Sequence, residues 1–210
     1  MKRHVDGERA NRLPAGRPVA ARIVAHARQH FFVHGFRGVT MDDLAADLGI
    51  SKKTLYAHFA SKADLLAAVI HAKFRDLETD LDRRAAADPP DFTIRLQLLL
   101  ECLQGHLQEP QPPCVRDMQR EPDVFRWIQT HRRDLVRRHF GRLIDEGRRA
   151  GVIRRDVPSN VVIEILLGAI EGAVKPQKLA ELGLTPKRAY TMIVNVVLHG
   201  ILTDKGRTPL

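Results

Sequence analysis

The sequence predicts an all-α fold with a small head and a larger helical body. Three observations carry this. Apolar residues recur three and four apart along most of the chain rather than alternating. Helix-starting Ser, Thr and Pro and helix-stopping Gly bracket those runs. Aromatic residues make up only 5% of the chain, and strand-like alternation is absent.

Residues 1–18 mix charge with Gly and Pro and lack periodicity, so they read as a flexible basic arm. Residues 19–34 form a first helix with Ala20, Val24, Ala27 and Phe31 on one side and Ile23 beside them, ended by Gly35. In residues 41–48, Met41, Leu44, Ala45 and Leu48 make one apolar stripe, and Gly49 stands where a helix end favours a left-handed residue. Ile50 plugs the turn and Ser51 is a good N-cap. The next helix, residues 52–59, buries only Leu55 and Phe59, while Lys52, Lys53, Thr54, Tyr56 and His58 occupy its other face. Held by its neighbours and polar outward, it has the shape of the second helix of a helix-turn-helix, here residues 40–59, which enters a DNA major groove. Thr40 with Asp43, and Ser61 with Asp64, fit the capping pattern at N-cap and third position. Lys62 falls in the first turn of the following helix, a positive helix end that suits a cation only when an anion such as phosphate approaches.

That helix runs over residues 61–86 with Leu65, Leu66, Val69, Ile70, Phe74 and Leu77 inward, and its length of about 35 Å can tie head to body. The body opens near residues 87–90. A helix over residues 92–108 is apolar nearly all round and is expected to be central; Pro110, Pro112 and Pro113 then force a loop, with a short helix near residues 114–120. A long helix follows over residues 122–150, with Phe125, Ile128, Leu135, Val136, Phe140, Leu143 and Ile144 inward and Gly151 as C-cap. Two richly apolar helices close the chain, over residues 158–174 and 185–202, each with Pro near its start. Such helices must cover each other and something more. A two-fold partner offering the same pair makes a four-helix bundle, with Ile165, Leu166, Ala169, Ile193, Val197 and Ile201 at the dimer interface; burial within one chain is the alternative.

The stretch HGFRGVTMDDLAADLGISKKTLYAHFASKADLLAAVI resembles the DNA-binding head of tetracycline-repressor-type (TetR-type) regulators. The matching features are His34-Gly35-Phe36, Thr40, Leu44-Ala45, Gly49-Ile50-Ser51, Thr54-Leu55-Tyr56, Phe59 and Ser61-Lys62 before Leu65-Leu66. The likeness covers residues 19–80, and Lys53 is its one less typical feature, adding charge to the reader helix. The resemblance implies a domain order of arm (1–18), head (19–80) and effector-binding and dimerisation body (81–210). It implies phosphate contacts from Thr40, Tyr56 and Lys62, and base-edge or neighbouring phosphate contacts from Lys52, Lys53, Thr54 and His58, with Arg37 and Ser51 completing the DNA-binding set. It further implies a homodimer on a near-palindromic operator, a small-molecule effector, and repression as the commoner outcome.

Composition narrows the alternatives. The chain has 210 residues and a net charge of +9. Residues 1–62 hold eleven Lys and Arg against five acids, so the head favours a polyanion. Arg9, Arg12 and Arg17 of the arm suit a phosphate backbone or minor groove, with a solvated tail as the alternative. The two cysteines, Cys102 and Cys114, fit a reducing compartment; with neither a signal segment nor an apolar run long enough to span a membrane, a cytoplasmic location without membrane partners is expected.

Other constellations have blander readings beside them. His26, His30 and His34 recur at metal-ligand spacing on one helix, but no Cys or paired acid lies close in sequence, so no metal is expected and ordinary histidines are the reading. Arg132, Arg133, Arg137, Arg138, Arg142, Arg148 and Arg149, with Arg154 and Arg155, form a basic face, read as solvated or as a seat for an anionic effector or remote DNA. Cys102, His106, Met118, Phe125 and Trp127 are candidate lining for a ligand pocket, and equally good core residues. The chain shows no phosphate loop, nucleophile elbow or His-Glu-x-x-His pattern, so neither an enzyme nor a cofactor is expected. The rival readings are a basic DNA-coating protein without site preference, and a helical hydrolase or metal protein using the histidines.

Overall fold

The computed structural model describes residues 16–87 and 92–203. Among them are ten helices: α1 (Gly16–His34), α2 (Met41–Leu48), α3 (Lys52–His58), α4 (Lys62–Ala86), α5 (Phe92–Gln108), α6 (Pro112–Gln119), α7 (Pro122–Ala150), α8 (Ser159–Ala173), α9 (Pro176–Leu182) and α10 (Pro186–Ile201). No strand occurs among the described residues. One antiparallel bridge, Ile153 to Leu202, pins the α7–α8 loop to the end of α10. The all-α fold stands as the sequence predicts it. The arm, with Arg9 and Arg12, lies outside the described residues up to residue 15; residues 16–18, assigned to the arm, belong to α1.

Local chemistry sets the helix ends. Thr40 forms a full capping box with Asp43, Ser51 caps α3 through the Thr54 N–H, and Ser61 caps α4 through the Asp64 N–H. Gly49 adopts φ +66°, the left-handed conformation that lets the chain turn directly from α2 towards α3. Thr185 caps α10, with Pro186 next. Pro158, expected in the first turn of α8, is instead its N-cap. The sequence pattern does not show the short α9: among its described side chains Leu179 alone is buried, too little to make a periodic pattern.

Two main cores form, and they divide within α4. The head core gathers Ile23, Ala27, Phe31, Leu44, Leu55, Leu65, Leu66 and Ile70, together with Cys114 and Met118 of α6. The body core takes Leu77 and Leu81 of α4 with Leu96, Leu99, Val136, Phe140, Ile153 and Val162. Thus α4 carries one face into both. Helix α5 is less central than its composition suggests, since Ile94 and Leu107 are 50% and 38% exposed.

The arginine face of α7 is partly solvated, with Arg137, Arg138, Arg142 and Arg149 exposed, and much of it is paired with acids of neighbouring helices. Arg132 and Arg133 both hold Glu171 of α8, at 3.1 and 2.6 Å; Arg137 holds Glu164 at 2.7 Å, and Arg138 pairs with Glu78 of α4. Arg148 donates to Ser159 Oγ at 3.1 Å. This seam joins α7 to its neighbours.

Close packing of α7 gives a direct stability test. A Cβ on Gly147 would lie 2.6 Å from Phe92 Cε2 and 3.0 Å from Ile153 Cδ1. Gly147→Ala is expected to cost about 1–3 kcal/mol and lower the thermal midpoint by about 2–12 °C, read by circular dichroism. An unchanged midpoint would mean that α5 and the α7–α8 loop yield freely at this point.

Candidate nucleic-acid interface

The turn between α2 and α3 fixes which face of α3 is free. Leu55 is fully buried and Phe59 packs on the head core, so Lys52, Lys53 and Tyr56 project outward, with Tyr56 48% exposed. Ala57 shares this exposed face, a position the sequence pattern passed over. Thr54 and His58 are half-buried at the edges of the face. Ser51 and Thr54 bond each other through their hydroxyls at 2.8 Å, so their first task is the cap.

Beside this face lies an open groove of about 460 Å³ lined by Thr40, Met41, Asp42, Tyr56, Ala60, Ser61 and Lys62. The three side chains assigned to phosphate therefore meet in one place, at the N-terminal ends of α2 and α4. Both ends carry partial positive charge and favour an anion. Lys62 Nζ donates to the Val39 carbonyl at 3.0 Å and sits 4.7 Å from the centroid of the Phe36 ring, which fixes its ammonium at the groove.

Several of these groups are already engaged. Thr40 donates from its N–H (3.1 Å) and hydroxyl (2.6 Å) to Asp43 Oδ2, and these bonds, the hydroxyl's first, hold the Asp43 carboxyl below its ordinary pKa. A phosphate must draw the Thr40 hydroxyl away from Asp43. Lys52 donates to Asp42 Oδ2 at 2.6 Å, and that bond raises its pKa. An exposed pair of this kind is weak, so DNA can displace it. Arg37 faces another way: its N–H donates to Asp117 Oδ2 at 2.8 Å and its guanidinium reaches Glu121 at 3.5 Å, so it joins the head to α6 and α7.

The residues assigned to a ligand pocket fall into separate groups, with Cys102 and His106 together in the body and Met118 and Trp127 against the head. Met118 and Trp127 pack with the head core, and Trp127 stacks on His131 with ring centroids 3.6 Å apart. Cys102 is buried in the body core, His106 contacts Asp80 at 3.0 Å, and Phe125 is half-buried on α7. A cavity of about 20 Å³ lies elsewhere, among Leu96, Leu100, Phe140, Ile144, Val162, Leu166, Val194 and Val197. Its lining side chains are all apolar, and it has room for about one water molecule.

At the far end, the residues assigned to a dimer interface are split. Leu166 and Ile201 are each 7% exposed and turn into the chain's own core, while Ala169, Ile193 and Val197 are half-buried. Ile165 is 54% exposed. Val161 lies one turn before it on α8, Gly168 and Gly172 continue the strip, and Met192 and Val196 of α10 are also exposed. These were missed because apolarity alone does not say which side of an apolar helix remains uncovered.

A helix-turn-helix with an exposed basic reader, set beside an open groove at two helix N-termini and carried on a helical body, defines a DNA-binding transcriptional regulator. Residues 23–69 match the family of bacterial regulatory proteins described as tetR. The chain is similar to the HTH-type transcriptional repressor SCO4008 of Streptomyces coelicolor, 26% identical over 73% of this chain and 77% of that protein. It is also similar to the HTH-type transcriptional repressor DhaR of a Mycobacterium species, 27% identical over 77% of this chain and 83% of that one. Its fold matches that of SmeT, the repressor of the Stenotrophomonas maltophilia multidrug efflux pump SmeDEF, with a TM-score of 0.64 at 19% identity, over 92% of this chain and 95% of SmeT. Residues 23–69 are thus a tetR-type DNA-binding head, and the likeness to repressors of this kind runs over about three quarters of the chain. No helix among the described residues is long and apolar enough to cross a membrane.

Proposed function

We propose that this protein is a cytoplasmic homodimeric repressor, working by binding rather than catalysis, that holds a near-palindromic operator and releases it when a small molecule enters the body. The observation that carries the DNA half is the groove in which Thr40, Tyr56 and Lys62 meet beside the Lys52, Lys53 and Tyr56 face of α3. Phosphates seated there set the register, and α3 reads base edges. The strip of Val161, Ile165, Gly168, Gly172, Met192 and Val196 supports pairing of two copies through α8 and α10, which would hold two α3 helices about one DNA turn (~34 Å) or somewhat more apart.

The effector half has its support in the body. SmeT has been seen in complex with triclosan. In this chain the small apolar cavity lies among α5, α7, α8 and α10, and α5 and α7 both pack on α4. A ligand larger than water must push these helices apart, and α4 begins at the phosphate groove. A shift worth about 1–3 kcal/mol of coupling suffices to change operator occupancy.

Selection of bound sequences from a random DNA pool at about physiological salt tests the reading. An enriched inverted repeat is the expected result. Recovery without any motif would replace it with a non-specific DNA-coating protein, whose binding rests on salt-dependent charge alone.

A further inference from the structure

The head holds a second polar constellation that DNA reading leaves unused. His26 and His30 lie on successive turns of α1, with ring centroids 4.4 Å apart. Both direct Nε2 at Oδ2 of Asp47 on α2, at 3.9 and 3.6 Å. The fold thus supplies the acid that is absent nearby in sequence, because packing α2 across α1 brings Asp47 over the histidine row.

Neither contact is a hydrogen bond at that distance. The Nε2 of His26 is buried and has no hydrogen-bond partner, an arrangement that protein interiors rarely tolerate without an ion or water. The three ligand atoms lie within 4.8 Å of one another. Ligand bonds of about 2.0–2.2 Å at tetrahedral angles put neighbouring ligand atoms about 3.3 Å apart, so a contraction of at most about 1.5 Å closes the set. Asp47 is 51% exposed on its side chain, which leaves the outer coordination positions to water. Burial, then the neighbouring His30, hold the His26 imidazole below its ordinary pKa against the pull of Asp47, which favours the neutral ring that a metal needs.

A second trio, Asp80, Cys102 and His106, also brings ligand atoms together. There the His106 and Asp80 atoms are already bonded at 3.0 Å, and Arg83 holds Asp80 at 2.6 Å, so charge and bonding both oppose a cation.

We propose that His26, His30 and Asp47 bind one divalent transition-metal ion per chain, of the class that two imidazoles and a carboxylate suit, with Zn²⁺ and Co²⁺ as probes. The ion would clamp α1 to α2 and stiffen the frame on which α3 is carried.

The test uses the full chain, stripped with a chelator and titrated with Co²⁺, then with competing Zn²⁺. One equivalent per chain with visible ligand-field absorption, displaced by Zn²⁺, is expected, together with a Zn²⁺-dependent rise in melting temperature. His30→Gln and Asp47→Asn should each weaken binding by about tenfold or more, while His106→Gln leaves it unchanged. Asp47 is exposed, so its variant retains the fold. Absence of binding overturns the site, as does stoichiometric binding that both variants preserve.

Discussion

Lys62→Ala is expected to weaken operator binding by about tenfold per head and about a hundredfold for a dimer, since each head loses one charge-assisted phosphate contact. The argument is geometric. The Lys62 ammonium stands at the N-terminal ends of α2 and α4, where a cation gains nothing from the helix dipoles. The Val39 carbonyl and the Phe36 ring keep it there in the absence of DNA, so it is already placed when a phosphate arrives. Loss of one phosphate contact in each head should also reduce the slope of log affinity against log salt by about two. Fluorescence anisotropy at several salt concentrations reads both effects. Because Lys62 also braces Val39, a melting curve of the variant must accompany it. Tyr56→Ala supplies an independent arm, since Tyr56 is exposed and its loss leaves the core intact. Operator affinity and salt slope unchanged in both variants would remove the groove from the DNA interface.

The head was legible because the forces that shape it act over a few residues. Thr40 reaches Asp43, Ser51 reaches Thr54 and Ser61 reaches Asp64, all three positions along the chain. The turn at Gly49 needs only its own backbone conformation. The body was legible in its helices and not in its contacts. The α7 arginines look like a free basic face until folding brings Glu78, Glu164 and Glu171 against them from two other helices. Met118 and Trp127 look like pocket lining because nothing local shows that α6 and the start of α7 pack on the head. Arg37 sits within the DNA-binding stretch, yet tertiary acids Asp117 and Glu121 claim it. In each case the deciding partner is distant in sequence, and periodicity carries no information about it. The histidine row shows the converse: a pattern with a bland local reading acquired a carboxylate only through the α1–α2 crossing.

Glu109→Gln is expected to lower stability by about 2 kcal/mol, and with it the firmness of the link between head and body. Glu109 follows α5 in the body, but it accepts from Arg28 of α1 at 2.7 and 2.9 Å and pairs with Lys73 of α4. Arg28 also pairs with Asp76. Next to this knot the Gln111 N–H donates to the Phe32 carbonyl at 2.8 Å, so the α5–α6 turn is fastened to α1 by backbone and charge together. Lys73 is only 7% exposed. Burial lowers its ammonium pKa, and Glu109 opposes that shift; removing Glu109 leaves a buried cation beside Arg28 with only Asp76 to offset it, an acid that Arg28 already engages. The figure of 2 kcal/mol is held below that for a wholly buried pair because Glu109 and Arg28 retain some solvent access. On a chain of this length the midpoint should fall by about 4–8 °C. The pH dependence has a definite sign. Although burial alone would raise the Glu109 pKa, Arg28 and Lys73 outweigh it and hold the carboxyl below its ordinary value. Its stabilisation is therefore complete above the unfolded carboxylate pKa and is lost as pH falls through the folded one. Wild-type stability should drop across that acid window more steeply than that of Glu109→Gln. A second substitution separates charge from shape: in Glu109→Gln with Lys73→Met the buried cation is gone, and part of the lost stability should return. If the double variant is no more stable than Glu109→Gln, the buried ammonium is not what Glu109 offsets, and its contribution to the head–body link runs through Arg28 instead.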